Sequence, residues 1–159
     1  MAAMGKTTHH IGVISDTHGL VRPEAFNALE GSDIILHAGD IGSPEVLQSL
    51  RSVAPVVAVR GNTDRERLTG GLADTESVEL GGKMFYIIHD LTCLDLDPAS
   101  AGIHAIISGY SHRPSISEHQ GILYLNPGSA GPRRFSLPVT LARITLRQGR
   151  FQPEIVHLT

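Results

Sequence analysis

The sequence predicts an α/β protein with a parallel β core, and three observations predict it. Short runs rich in Val and Ile recur along the chain, and each ends at once in small or polar residues. Helix start signals separate the first three of these runs. Further on the helix signals thin out, and strand pairs punctuated by glycine take over. Strands that alternate with helices imply parallel neighbours joined by right-handed crossovers.

The first strand is residues 11–14, which run into Ser15-Asp16-Thr17-His18-Gly19. Pro23-Glu24 opens a helix that closes at Gly31, with proline at a first-turn position where its missing N–H costs nothing. Residues 33–38 form the second strand and run into Gly39-Asp40. Ser43 as N-cap and Pro44 at the first helical position open the second helix. Residues 56–60 form the third strand and end at Gly61-Asn62. Residues 77–80 and 83–88 around Gly81-Gly82 read as a hairpin that ends at His89-Asp90. A weaker helix is expected from Asp97-Pro98 through Ala101. Residues 105–108 end at Gly109-Tyr110-Ser111-His112, and residues 122–125 end at Asn126-Pro127-Gly128-Ser129. The tail, 139–146 and 151–158 around Gly149, reads as a last strand pair. Short apolar runs bounded by turn formers read as buried strands.

A chain of 159 residues is the size of one domain, so residues 1–159 are read as a single unit, with 1–8 expected to fray. It can bury about 68–70% of its unfolded surface and needs no disulfide or structural metal merely to stay folded. With 41% hydrophobic and 18% charged residues the composition is that of a globular protein, not a disordered one. A net charge of −3 gives no basic footprint, which disfavours nucleic acid as a partner. No window reaches a membrane span, and the polar start MAAMGKTTHH lacks the apolar stretch of a secretory signal, so the expected location is the cytoplasm. The lone Cys93 cannot form an internal disulfide and is read as a small buried packing residue.

Position matters more than any single element. Asp16, His18, Asp40, Asn62, His89, His112 and Asn126 all follow the carboxyl ends of strands, where open α/β sheets form their binding crevice. One polar residue after one strand is only a loop residue; six strand ends delivering this set to one edge is a pattern. Imidazole with carboxylate suits Zn, Mn, Fe or Ni, whereas calcium calls for oxygen ligands alone. The set is rich enough for two metals about 3.5–4 Å apart, the spacing of two-metal hydrolytic sites.

The ordered motifs Asp16-x-His18, Gly39-Asp40, Gly61-Asn62-x-Asp64, His89, Gly109-x-x-His112 and Asn126-Pro127-Gly128-Ser129 closely resemble the calcineurin-like metallophosphoesterases. Within that group the chain looks like the small YfcE-like phosphodiesterases, over roughly residues 9–157. The resemblance implies a four-layer α/β sandwich, two mixed β-sheets flanked by helices. It implies two divalent transition-metal ions, Mn foremost, with Fe, Ni or Zn as the others. It puts Asp16, His18 and His112 on the first metal, Asp40 between the two, and Asn62 and His89 on the second. The implied reaction is hydrolysis of a small phosphate ester, most readily a diester, by a metal-bridging hydroxide, with Asp40, Asn62, His89 and His112 as the catalytic set. Asn62 and Arg113 are the substrate-binding candidates. A homodimer or larger oligomer is implied on the same ground.

Three positions depart from the family pattern. Tyr110 stands where a second-metal histidine is usual, His89 is followed by Asp90-Leu91 instead of Gly-His, and Thr63 replaces a proton-donating histidine of larger members. Tyr110 admits three readings: a phenolate ligand, a phenol that only hydrogen-bonds nearby beside a weak second metal, or a lost second site. The last leads to a second function class, a scaffold or protein-binding module on the same fold with an impaired metal site. Among the other histidines, His37 is expected to be a hydrogen-bonded core residue or a support behind the metal ligands rather than a ligand, His9 and His10 exposed at a strand edge, and His104, His119 and His157 on the surface. Arg133 and Arg134, like Arg113, are expected on loops flanking the site, either holding a substrate's second phosphate substituent or simply solvated.

Overall fold

A computed structural model describes residues 7–65 and 71–158. Two five-stranded mixed sheets face one another. The first has the order β10-β9-β1-β2-β3 and the second β4-β5-β6-β8-β7. The chain visits β1 (Thr8–Ile14), α1 (Pro23–Leu29), β2 (Ile34–His37), α2 (Pro44–Arg51) and β3 (Val56–Ala58), then β4 (Thr75–Leu80) and β5 (Lys83–Ile88). It closes with β6 (Ala105–Ile107), β7 (Ser115–His119), β8 (Ile122–Asn126), β9 (Thr140–Arg147) and β10 (Arg150–His157). β1, β2 and β3 are parallel, as are β5, β6 and β8, so six strands bring their carboxyl ends to the same region.

Strand alternation explains the layers, because successive side chains leave a strand on opposite faces. From β1, Ile11 and Val13 enter the core between the sheets with Leu36, Phe85, Ile87, Ala105, Ile107, Leu123, Leu125, Ala142 and Ile144. Ile14 and Ile35 point the other way, to a second core closed by Ala25 and Leu29 of α1 and Val46, Leu47 and Leu50 of α2. Ile88, Ile106 and Ile122 form a third cluster on the outer face of the second sheet, with Leu94 and Leu96 packed against it. There the covering layer is a 3-10 turn (Leu91–Cys93) and the irregular chain after it, whereas both α-helices lie on the first sheet.

Both N-terminal helices, the 81–82 hairpin and the tail hairpin form as the sequence predicts. Several other readings are corrected. No helix forms over 97–101; the backbone closes one turn, Ala101 N–H donating to the Asp97 carbonyl, while Ser100 Oγ donates to the Asp97 carboxylate. β7 went unread because all five of its residues are exposed and carry no apolar alternation. Ser43 sits at the N-cap of α2 with extended backbone, but its side chain makes no capping bond. Thr8 belongs to β1, so fraying does not reach it; residues 1–6 lie outside the described residues. Cys93 is exposed, not a packing residue. His9 and His10 lie on β1 between β2 and β9, not on an edge strand, and only His10 is exposed. His104 is half-buried, its Nδ1 accepting from Met84 N–H. His119 and His157 are exposed as expected.

Candidate metal centre

Three strands of the parallel core, β1, β2 and β6, end in turns that few residues adopt. Asp16, His18, Asp40, Tyr110 and His112 all have left-handed backbones, with φ between 46° and 72°. Such strain persists only where the surroundings enforce it, and it clusters at functional sites. The enforcement is visible in the turns themselves: Asp16 N–H donates to the Gly39 carbonyl and His18 N–H to the Asp40 carbonyl, which locks the first two turns together. Gly61 and Gly109 let the remaining turns close. A Cβ on Gly61 would collide with Asp40, and one on Gly109 would collide with Ser15 Oγ and Asp16 Oδ2.

Asp16 is fully buried and its two oxygens have different fates. Oδ2 accepts from Ser15 Oγ at 2.7 Å and from Tyr110 N–H at 3.1 Å. Oδ1 is buried with no hydrogen-bond partner and faces three imidazoles. His112 Nε2 lies 3.4 Å from it, His89 Nε2 3.9 Å and His18 Nε2 4.0 Å. Asp40 repeats the arrangement: Oδ1 accepts from Thr63 N–H at 2.9 Å, while Oδ2 faces His89 Nε2 at 3.4 Å and His18 Nε2 at 3.7 Å. His89 Nδ1 donates to the Ala38 carbonyl at 2.7 Å, which fixes the tautomer and leaves Nε2 to the centre, 3.0 Å from Asn62 Oδ1.

Two groups of side chains could each hold a cation, Asp16 with His18 and His112, and Asp16 with Asp40 and His89. The buried atoms Asp16 Oδ1 and His18 Nε2, converging without a hydrogen bond, are what a cation would satisfy. Mixed carboxylate and imidazole donors fit a first-row transition metal better than calcium. Asn62 is exposed at the mouth of the site. Tyr110 is 51% exposed, and its ring packs edge-on against His89 with centroids 5.7 Å apart. Beside Asn62 and His89 opens a cavity of about 680 Å³ that also meets Arg60, Asp74, Tyr86, Ile88 and Asp95.

The electrostatics follow from burial and pairing. Burial raises the Asp16 pKa despite the Ser15 hydrogen bond and the neighbouring imidazoles. Burial acts the same way on Asp40, but bonds from His89 and Thr63 outweigh it and hold that carboxyl well below the usual range. Burial would depress His89, yet Asp40, the Ala38 carbonyl and Asp16 together raise it. His112 is lowered, burial and the positive charge of Arg134 outweighing the pull of Asp16.

Supporting residues complete the site. Asp64 accepts from the backbone N–H groups of Ile41 at 2.9 Å, Gly42 at 3.1 Å and Gly61 at 2.9 Å, so one carboxylate staples the second and third strand ends. His37 is a buried, hydrogen-bonded core residue, as expected. Gly39 N–H donates to its Nδ1 and Thr17 Oγ1 donates to the Ile41 carbonyl, so His37 Nε2–H donates to Thr17 Oγ1. Asn126 does not enter the centre; its Nδ2 donates to the Gly109 carbonyl and Ser111 Oγ, bracing the turn that carries Tyr110 and His112. Arg113, Arg133 and Arg134 are exposed.

Residues 10–149 match the model of the calcineurin-like phosphoesterase superfamily domain, and the chain belongs to that superfamily. A probable metallophosphoesterase of Methanothermobacter thermautotrophicus is 40% identical over 140 residues, which cover 80% of this chain and 81% of that one. Among solved structures, an archaeal phosphodiesterase superposes with a TM-score of 0.76 at 25% identity, covering 92% of this chain and 99% of the other. Vacuolar protein sorting 29 from Cryptosporidium parvum superposes with a TM-score of 0.77 at 16% identity, covering 95% and 98%, a likeness of fold alone. Among the described residues no helix is long and apolar enough to cross a membrane.

Proposed function

We propose that this protein is a metal-dependent phosphodiesterase acting on small phosphate esters. The observation that carries the reading is the convergence of Asp16 Oδ1 and His18 Nε2, buried and without hydrogen bonds, on the strand-end cluster. Asp16, His18 and His112 would hold one divalent ion, and Asp40, His89 and Asn62 with Asp16 a second. When bound, such ions supply a water acidified enough to attack phosphorus near neutral pH and neutralise charge on the phosphate oxygens. The chain's own contribution is rigidity. Ser15 and Tyr110 N–H hold Asp16, Thr63 N–H holds Asp40, and the Ala38 carbonyl sets the donor atom of His89, so little reorganisation is needed in the reaction. The phosphodiesterase activity stated for the archaeal neighbour supports the diester preference.

Manganese titrated into metal-stripped protein should bind, and hydrolysis of bis-p-nitrophenyl phosphate should depend on it. Asp40→Ala should lower kcat at least 100-fold; activity unaltered by that change would sink the reading. The exposed Tyr110 favours a second reading, a scaffold with an impaired metal site. Tyr110→His separates the two: a phosphodiesterase with a weak second site should gain manganese affinity and rate, whereas a scaffold should show negligible turnover before and after.

A further inference from the structure

Among the described residues eight non-glycine residues have positive φ, and seven are accounted for. Five build the strand-end turns, and Gln120 and Gln148 each open a two-residue hairpin turn, between His119 and Ile122 and between Arg147 and Arg150. The eighth is Phe135, with φ 53°. Leu137 N–H donates to the Arg134 carbonyl at 3.0 Å, so Phe135 occupies the second position of a β-turn over 134–137. A left-handed backbone there suits glycine or asparagine, not a bulky ring. The ring is moreover 94% exposed, far beyond any other large apolar side chain of the protein's described residues. A strained backbone that holds a bare aromatic ring in water calls for a partner.

The loop's base is fastened to the metal centre. Ser129 pairs with Val139, Ser129 Oγ donates to the Asp16 carbonyl at 3.0 Å and Ala130 N–H to the Ser15 carbonyl at 3.1 Å. Arg22 Nη2 donates to the Gly131 carbonyl, and Gly131 lies so close to the Asp16 and Thr17 carbonyls that no Cβ would fit. Four residues further on is Phe135, a span of at most about 14 Å even if fully extended. Arg133 and Arg134 immediately precede Phe135 in the chain and are exposed.

We propose that the 131–138 loop selects nucleotidic phosphodiesters, Phe135 stacking on the base and Arg134 pairing with a phosphate oxygen. An aromatic face beside guanidinium groups is the chemistry that holds a base and its phosphate. A lipid surface fits less well, since one ring offers little apolar area and a net charge of −3 opposes an anionic leaflet. The assignment rests on the phosphodiesterase reading for its catalytic half.

The test uses the manganese-loaded full chain and two esters with one leaving group, thymidine 5′-p-nitrophenyl phosphate and methyl p-nitrophenyl phosphate. Phe135→Gly suits the left-handed backbone and so should fold at least as stably as the parent. It should lower the ratio of kcat/KM for the thymidine ester to that for the methyl ester by roughly 5- to 150-fold, the range for loss of one base–aromatic stack. Arg134→Gln should raise KM for the thymidine ester more than it lowers kcat. Thymidine 5′-monophosphate, titrated calorimetrically, should bind the parent more tightly than Phe135→Gly by a similar factor, a readout that needs no turnover. An unchanged ratio or unchanged nucleotide affinity overturns the loop assignment. Failure of the parent to hydrolyse either ester would instead overturn the phosphodiesterase reading, and nucleotide affinity would still decide the loop. Cosedimentation with phosphatidylglycerol vesicles that Phe135→Gly abolishes would reassign the loop to a lipid surface and overturn the proposal.

Discussion

Asp16 Oδ1 shows how much one atom can decide, because its carboxyl partner Oδ2 is already satisfied twice while Oδ1 is left facing three imidazoles. His37 works by a similar economy, with both ring nitrogens committed to neutral hydrogen bonds. Burial first, and then His89, depress its pKa from 6.5 to about 3. The unfolded chain therefore binds a proton that the folded one refuses. Stability contributed by neutral His37 is complete above pH 6.5 and is lost as pH falls from 6.5 toward 3. The slope is at most about 1.4 kcal/mol per pH unit. Urea unfolding in a chelator, for the parent and His37→Asn, checks this: the parent should lose more stability between pH 7 and pH 4.5, and parallel curves would refute it. The convergence of Asp16, His18, Asp40, His89 and His112 was legible in the sequence because residue type and strand-end position both signal it. The roles of Ser15 and Asp64 were not. Asp64 acts on the backbone of Ile41 and Gly42, 23 and 22 residues away, and only the folded chain makes them neighbours.

Among the elements, legibility followed burial. β2, β5, β6 and β8 are strongly apolar and mostly buried, and each could be read from its run of residues. β7 is wholly exposed, and its pairing with β8 supplies the stability that its own residues do not advertise. The weak helix expected over 97–101 fails because Ala99 and Ala101 are exposed and give it no face to bury. The turn after β6 depends on a glycine with no space for a methyl group. Gly109→Ala would push on Ser15 Oγ and Asp16 Oδ2, and overpacking of this kind costs about 1–3 kcal/mol. Displacing Asp16 should also weaken manganese binding by at least tenfold in calorimetry. Parent-like affinity in a folded Gly109→Ala protein would mean that the turn does not position Asp16.

For the molecule as a whole, the parallel crossovers of β1, β2 and β3 could be foreseen from alternating strand and helix signals. The facing of two sheets could not be obtained from periodicity; it entered through the ordered motifs and their resemblance to a family. The physical reason lies in the central core, where Ile11 and Leu36 of one sheet meet Phe85 and Ile107 of the other across large sequence separations. That sandwich sets six strand ends together, and on the proposed reading divalent ions held there would reverse the local sign and let a chain with a net charge of −3 receive a phosphate. The most direct test is an anomalous difference map from a crystal grown with manganese. One or two strong peaks should lie within coordination distance of Asp16 Oδ1, His18 Nε2 and His112 or of Asp16, Asp40 and His89. A map with no peak between these side chains, at saturating manganese, would contradict the metal centre and the phosphoesterase reading built on it.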